Sequence, residues 1–141
     1  MTTTKPRADL EMDNLWIFRG CDPQRLQDPS LHAAFGAYIR EAGIDTFADA
    51  MYQFLGGGNG ITSIWIVGAS CADIHTWPEY GVAVIRCFAC GDKEQHVATL
   101  LSKLILHFAP QEAYAIPERV FFTKPPAQVP PTWEQVWPLE D

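Results

Sequence analysis

The 141 residues hold 17 acidic and 10 basic side chains, for a formal net charge of −7, and are 48% apolar and 19% charged. That is the balance of a globular domain able to bury a core without metals or disulfides, and it is too apolar for a disordered chain. No Lys/Arg face offers itself to nucleic acid, and no apolar run approaches the roughly 20 residues of a membrane span.

Residues 1–12 are polar, are expected to fray, and lack the apolar stretch of a secretory signal. A soluble, cytoplasmic protein follows, with Cys21, Cys71, Cys87 and Cys90 reduced. Asp13 to Gly20 reads as a strand, closed by a turn at Cys21-Asp22-Pro23. Asp28-Pro29 looks like an N-cap and first-turn proline. Leu31, Ala34, Phe35, Tyr38 and Ile39 then share one helical stripe, ended by Gly43.

Residues 44–54 suit a strand ending at Phe54, before the loop Gly56-Gly57-Gly58-Asn59-Gly60. The loop lacks a phosphate-loop lysine and a following helix, so it reads as a flexible hairpin. Ile61 to Val67, rich in β-branched and aromatic residues, suits a buried strand. A short segment, Ser70 to Thr76, precedes a turn at Pro78–Gly81 and a strand from Val82 to Cys90.

Asp92 with Gln95 resembles a capping box in front of a second amphipathic helix carrying Val97, Leu100, Leu101, Leu104 and Phe108. Ala113 to Thr123 suits a last strand, and the proline-rich residues 124–141 an extended tail. The turns are too short for parallel crossovers. The fold class expected is therefore α+β, a two-layer sandwich of one antiparallel sheet with two helices on one face, in a single domain over 1–141.

Reactive side chains crowd between Ser70 and Gly91. Taken singly, His75 or Cys90 suits an interior position, since cysteine is commonly buried. As a set, Cys71-x3-His75 and Cys87-x2-Cys90 offer four zinc-compatible groups, but residues three apart on a strand point to opposite faces.

A third reading rests on resemblance. Ile74-His75-Thr76-Trp77-Pro78-Glu79-Tyr80-Gly81, Phe88-Ala89-Cys90-Gly91-Asp92 and the early Gly20-Cys21-Asp22-Pro23 resemble the signature of bacterial S-adenosylmethionine decarboxylases over about residues 13 to 110. The resemblance implies a precursor whose Ser70 hydroxyl attacks the carbonyl of Ala69. Cleavage there would leave a β chain, 1–69, and an α chain, 70–141, capped by a pyruvoyl group derived from Ser70.

In the same terms His75 matches the processing histidine, Thr62 a supporting serine, and Cys90 the proton donor. Phe54 and Trp77 match aromatics that stack on the substrate, and Glu79 a carboxylate that holds ribose. No metal is implied, and the expected assembly is a homodimer of cleaved protomers. The implied product, decarboxylated S-adenosylmethionine, feeds spermidine synthesis.

The chain departs from that pattern at Ala69 for glutamate, Cys71 for histidine, Asp73 for serine or threonine, and Arg86 for an acid. Those changes leave ornithine or arginine open as alternative substrates. An uncleaved, non-catalytic homologue is a third possibility, against which the joint presence of Ser70, His75, Thr62 and Cys90 argues.

Overall fold

Alternation builds the sheet. In the computed structural model β1 runs Leu10–Arg19, with Trp16 and Phe18 buried on one face and Leu15 and Ile17 partly exposed on the other. The structure describes residues 10–68, 70–90, 94–115, 119–123 and 138, with the backbone alone at 10–12, 89, 90, 94 and 119–123. Ala69, Gly91 to Lys93 and the tail beyond 123, Pro138 apart, lie outside it, and so does the aspartate of the expected capping box.

The strands are β1, β2 (Ala48–Gln53), β3 (Ile61–Ile66), β4 (Cys71–Trp77), β5 (Val82–Cys90), β6 (Glu112–Ala115) and β7 (Arg119–Thr123). Every pairing is antiparallel, in the order β2-β3-β4-β5-β1-β6, with β7 also on β1. The single last strand expected over 113–123 is two strands. β6 pairs with Trp16–Arg19 and β7 with Leu10–Asp13, so they occupy opposite ends of β1. The short segment after Ser70 is β4, a central strand.

Helices α1 (Pro23–Gln27), α2 (Leu31–Glu41) and α3 (Glu94–Phe108) cover one face. Three helices stand where two were expected: the Cys21–Pro23 turn opens into α1. There the Asp22 carboxylate accepts the Gln24 N–H at 3.0 Å, and Pro23 sits in the first turn. Asp28 is not the N-cap of α2. It accepts the Ser30 N–H at 2.9 Å in the turn before the helix, and Ser30 takes the cap position.

The core lies between the layers. Phe18, Ile74 and Ile85 of the sheet join Phe35 and Ile39 of α2 and Leu104 and Phe108 of α3. Burying each side chain contributes roughly 1.5–3 kcal/mol. Phe18 and Phe108 meet edge to face at 6.0 Å. Gly36 lets α2 lie flat on the sheet, since a Cβ there would come within 2.4 Å of the Trp65 ring. Among the described residues the other face of the sheet carries no helix and presents Ile17, Ile64, Ile66 and Val84. None of the described helices is long and apolar enough to cross a membrane.

Candidate active site

β4 sets the site. Its residues alternate: Ala72, Ile74 and Thr76 face the helices, while Cys71, Asp73, His75 and Trp77 share the helix-free face. β3 lies beside it with Thr62 directly opposite His75. The Thr62 hydroxyl is 3.2 Å from His75 Nδ1, and the other ring nitrogen, Nε2, is 3.0 Å from Asp73 Oδ1. A carboxylate only accepts, so the contact at Nε2 is one in which the ring donates to Asp73, while the Thr62 hydroxyl can donate to Nδ1 or accept from it. Arg86, opposite Asp73 on β5, places Nε 3.8 Å from Oδ2, and its guanidinium lies over the Phe88 ring.

Thr62 and His75 open into a cavity of about 460 Å³, lined also by Phe54, Trp77, Glu79 and the glycine loop. That size suits a small organic ligand. Phe54 and Trp77 are both half exposed, ready to be covered by one. Gly58 lies against Glu79: a Cβ built there would come within 1.7 Å of the Glu79 carboxylate. With φ at +85° that position favours glycine, while the contact is with the far end of the exposed Glu79 side chain, which a Cβ would push aside. Thr76 ties the floor together, donating to the Leu26 carbonyl at 2.7 Å and accepting the Ile61 N–H at 2.8 Å.

Five expected residues, Phe54, Thr62, His75, Trp77 and Glu79, therefore meet at one cavity. Ser70 does not join them. It closes the β3–β4 hairpin, its carbonyl accepting the Val67 N–H at 2.9 Å. The last ladder pair before it, Ile66–Cys71, lies four strand residues from Thr62–His75, about 13 Å at the usual rise. Within one protomer, His75 cannot reach the Ser70 hydroxyl. Cys90 pairs by its backbone with Glu11 at the end of β5, and its side chain, like Ala69, lies outside the description.

Ser70 is half-buried at the head of β4, and a Cβ on Gly68, two residues before it, would meet nothing within 4 Å. Beside it, burial and then the Asp73 charge push the Cys71 thiol upward, so it is held as a thiol. Cys87 faces the helices, and burial pushes it to about 12. A zinc set joining it to His75 on the opposite face has no common centre.

Comparison with known proteins gives the same outline. The family model described as S-adenosylmethionine decarboxylase matches residues 15–115, most of the chain. The chain belongs to the S-adenosylmethionine decarboxylase family. It is 44% identical over 79 residues to a protein of Pyrobaculum islandicum named S-adenosylmethionine decarboxylase proenzyme. That match covers 52% of this chain and 58% of the relative, so the chain spans under two thirds of its length.

A Bacillus velezensis protein of the same name is 31% identical over 114 residues, covering 75% of this chain and 81% of that one. The crystal structure of the adenosylmethionine decarboxylase from Aquifex aeolicus superposes with a TM-score of 0.68 at 21% identity, over 76% of this chain and 87% of the other. That likeness supports the α+β fold.

The residues expected from the motif line one cavity, but the sequence does not announce the partners of His75. Asp73 reads there as one reactive side chain among several and as a departure from the family pattern. Its place two residues before His75 on one strand was the signal that the two share a face. A second cluster on the helix side went unread. His32 of α2 joins Ser63 through Nδ1 and Asp49 through Nε2, each at 2.6 Å, and stacks on Trp65 at 4.8 Å.

Proposed function

We propose that the chain is the precursor of a self-processing, pyruvoyl-dependent decarboxylase of S-adenosylmethionine that serves spermidine synthesis. The observation that supports the reading is the gathering of Phe54, Thr62, His75, Trp77 and Glu79 at one cavity. Aromatic faces suit both an adenine ring and a sulfonium cation, and a carboxylate beside them suits ribose hydroxyls.

Processing begins when Ser70 Oγ bonds to the Ala69 carbonyl carbon and the Ala69–Ser70 C–N bond breaks, the hydroxyl proton ending on the freed nitrogen. Elimination removes the Ser70 α-proton and expels the Ala69 carboxylate. Water then releases ammonia and leaves the ketone on the chain 70–141, with 1–69 as its partner chain. His75 Nδ1 lies 3.2 Å from the Thr62 hydroxyl, where an imidazole nitrogen can pass a proton. The pyruvoyl carbonyl, once present, supplies the electron sink that a departing carboxylate needs. Phe54 and Trp77 cover the substrate and exclude water, and the Cys90 thiol returns a proton to the reacting carbon.

The stretch of strand between Ser70 and His75 calls for a second copy. A homodimer formed across the helix-free face, where Ile17, Ile64, Ile66 and Val84 lie open, brings the turn of one protomer to the cavity of its partner.

Denaturing mass measurement tests the processing, and carbon dioxide release from S-adenosylmethionine, ornithine and arginine tests the substrate. The parent is expected to yield two chains cut at Ala69–Ser70 and to release carbon dioxide from S-adenosylmethionine. Ser70→Ala is expected to stay whole and inert. An uncut parent that decarboxylates, or release from ornithine or arginine alone, would overturn the proposal.

A further inference from the structure

We propose that Asp73 is a positioning residue that selects the tautomer of His75, within the function proposed above. A neutral imidazole carries one N–H and one lone pair, and which nitrogen bears the proton depends on what faces each. At Nδ1 stands the Thr62 hydroxyl, which can donate or accept and imposes nothing. At Nε2 stands the Asp73 carboxylate at 3.0 Å, which can only accept. The proton therefore sits on Nε2, and the lone pair is at Nδ1, toward Thr62 and the cavity.

The ladder supplies the geometry. Thr62 and His75 are directly opposite across β3 and β4, and Asp73 and Arg86 directly opposite across β4 and β5. Asp73 sits two residues before His75 on the same face, so the four side chains form one diagonal over three strands. The Asp73 side chain is only 10% exposed, whereas the ring it holds is 40% exposed. A carboxylate so placed needs a counter-charge, and Arg86 lies on its second oxygen. The serine or threonine of the resemblance would offer an alcohol here, which can donate to Nε2 as readily as accept from it. The carboxylate removes that choice.

The test reads the ring directly. In ¹⁵N-labelled full-length Ser70→Ala protein, two-bond proton–nitrogen correlations report the protonated nitrogen of His75, assigned by its loss in His75→Gln. The starting chain is expected to show Nε2–H. Asp73→Asn is expected to give a mixture of tautomers, and so is Asp73→Thr, which offers a strand-compatible alcohol should the amide disturb the fold. Arg86→Gln is expected to keep Nε2–H.

With Ser70 restored, chain cleavage in Asp73→Asn is expected to slow about 10- to 100-fold, as when a histidine loses the group that orients it. An unchanged tautomer in both Asp73 variants, or Nδ1–H in the starting chain, would overturn the inference. So would a tautomer that shifts with no change in cleavage rate. A parent chain that is never cut would instead sink the proposed function, while the tautomer measurement would still decide what Asp73 does.

Discussion

Two histidines in this protein each hold a hydroxyl at Nδ1 and a carboxylate at Nε2, and His75 lines the cavity beside Trp77 and Glu79. His32 takes the Ser63 hydroxyl at Nδ1 and the Asp49 carboxylate at Nε2; His75 takes Thr62 at Nδ1 and Asp73 at Nε2. Exposure runs in opposite directions. The His32 ring is 15% exposed with its carboxylate 48% exposed, whereas the His75 ring is 40% exposed with its carboxylate 10% exposed. The His32 ring, mostly covered and occupied at both nitrogens, ties α2 to β2 and β3. A ring held from below by a buried carboxylate keeps its edge for a ligand. The composition of such a cluster does not reveal its role; the side from which it is open does.

The widest separation between the two clusters is expected from His75→Gln and His32→Gln compared side by side. His75→Gln should slow self-cleavage about 10²- to 10⁴-fold, the range for losing a general acid–base group, and leave the melting temperature nearly unchanged. His32→Gln should do the reverse. Cleavage followed by mass and melting followed by circular dichroism would read both. Equal effects of the two on cleavage would erase the distinction.

A smaller effect probes the buried cluster alone. His32→Phe leaves the fully buried Ser63 hydroxyl without its ring partner, which should lower stability by about 2 kcal/mol. Adding Ser63→Ala removes the orphaned group and should recover part of the loss, since an apolar replacement of both partners is tolerated better than of one. Urea unfolding of the two variants measures the difference. A double variant less stable than His32→Phe would mean that Ser63 has a further role.

The mildest change probes the open cluster. Gly58→Ala pushes a methyl group into the Glu79 carboxylate at a backbone angle that alanine disfavours. The expected result is a KM raised about 10-fold, equivalent to ~1.4 kcal/mol, with kcat and the rate of self-cleavage held. A loss confined to kcat would place Glu79 at the chemistry instead of the ribose.

Much of the sheet and of the site could be read from the chain, for local reasons. The β-branched run at β3, the stripe on α2 and the IHTWPEYG motif are short-range signals. β4 escaped because its alternation, Ala72-Ile74-Thr76 against Cys71-Asp73-His75-Trp77, mixes small and polar groups on both faces. The five residues of α1 are fewer than two turns and carry too little periodicity to separate from a turn. The His32 cluster draws on α2, β2 and β3, and nothing local in any of them foretells the meeting. The gap between Ser70 and His75 became visible only once the register of β3 and β4 was fixed.

That register has an evolutionary edge to it. Thr62 and Ser63 are neighbours in the chain, yet one hydroxyl reaches His75 on the open side and the next reaches His32 beneath the helices. An inserted or deleted residue in β3 would turn both inside out at once, breaking the contacts of both histidines in a single step.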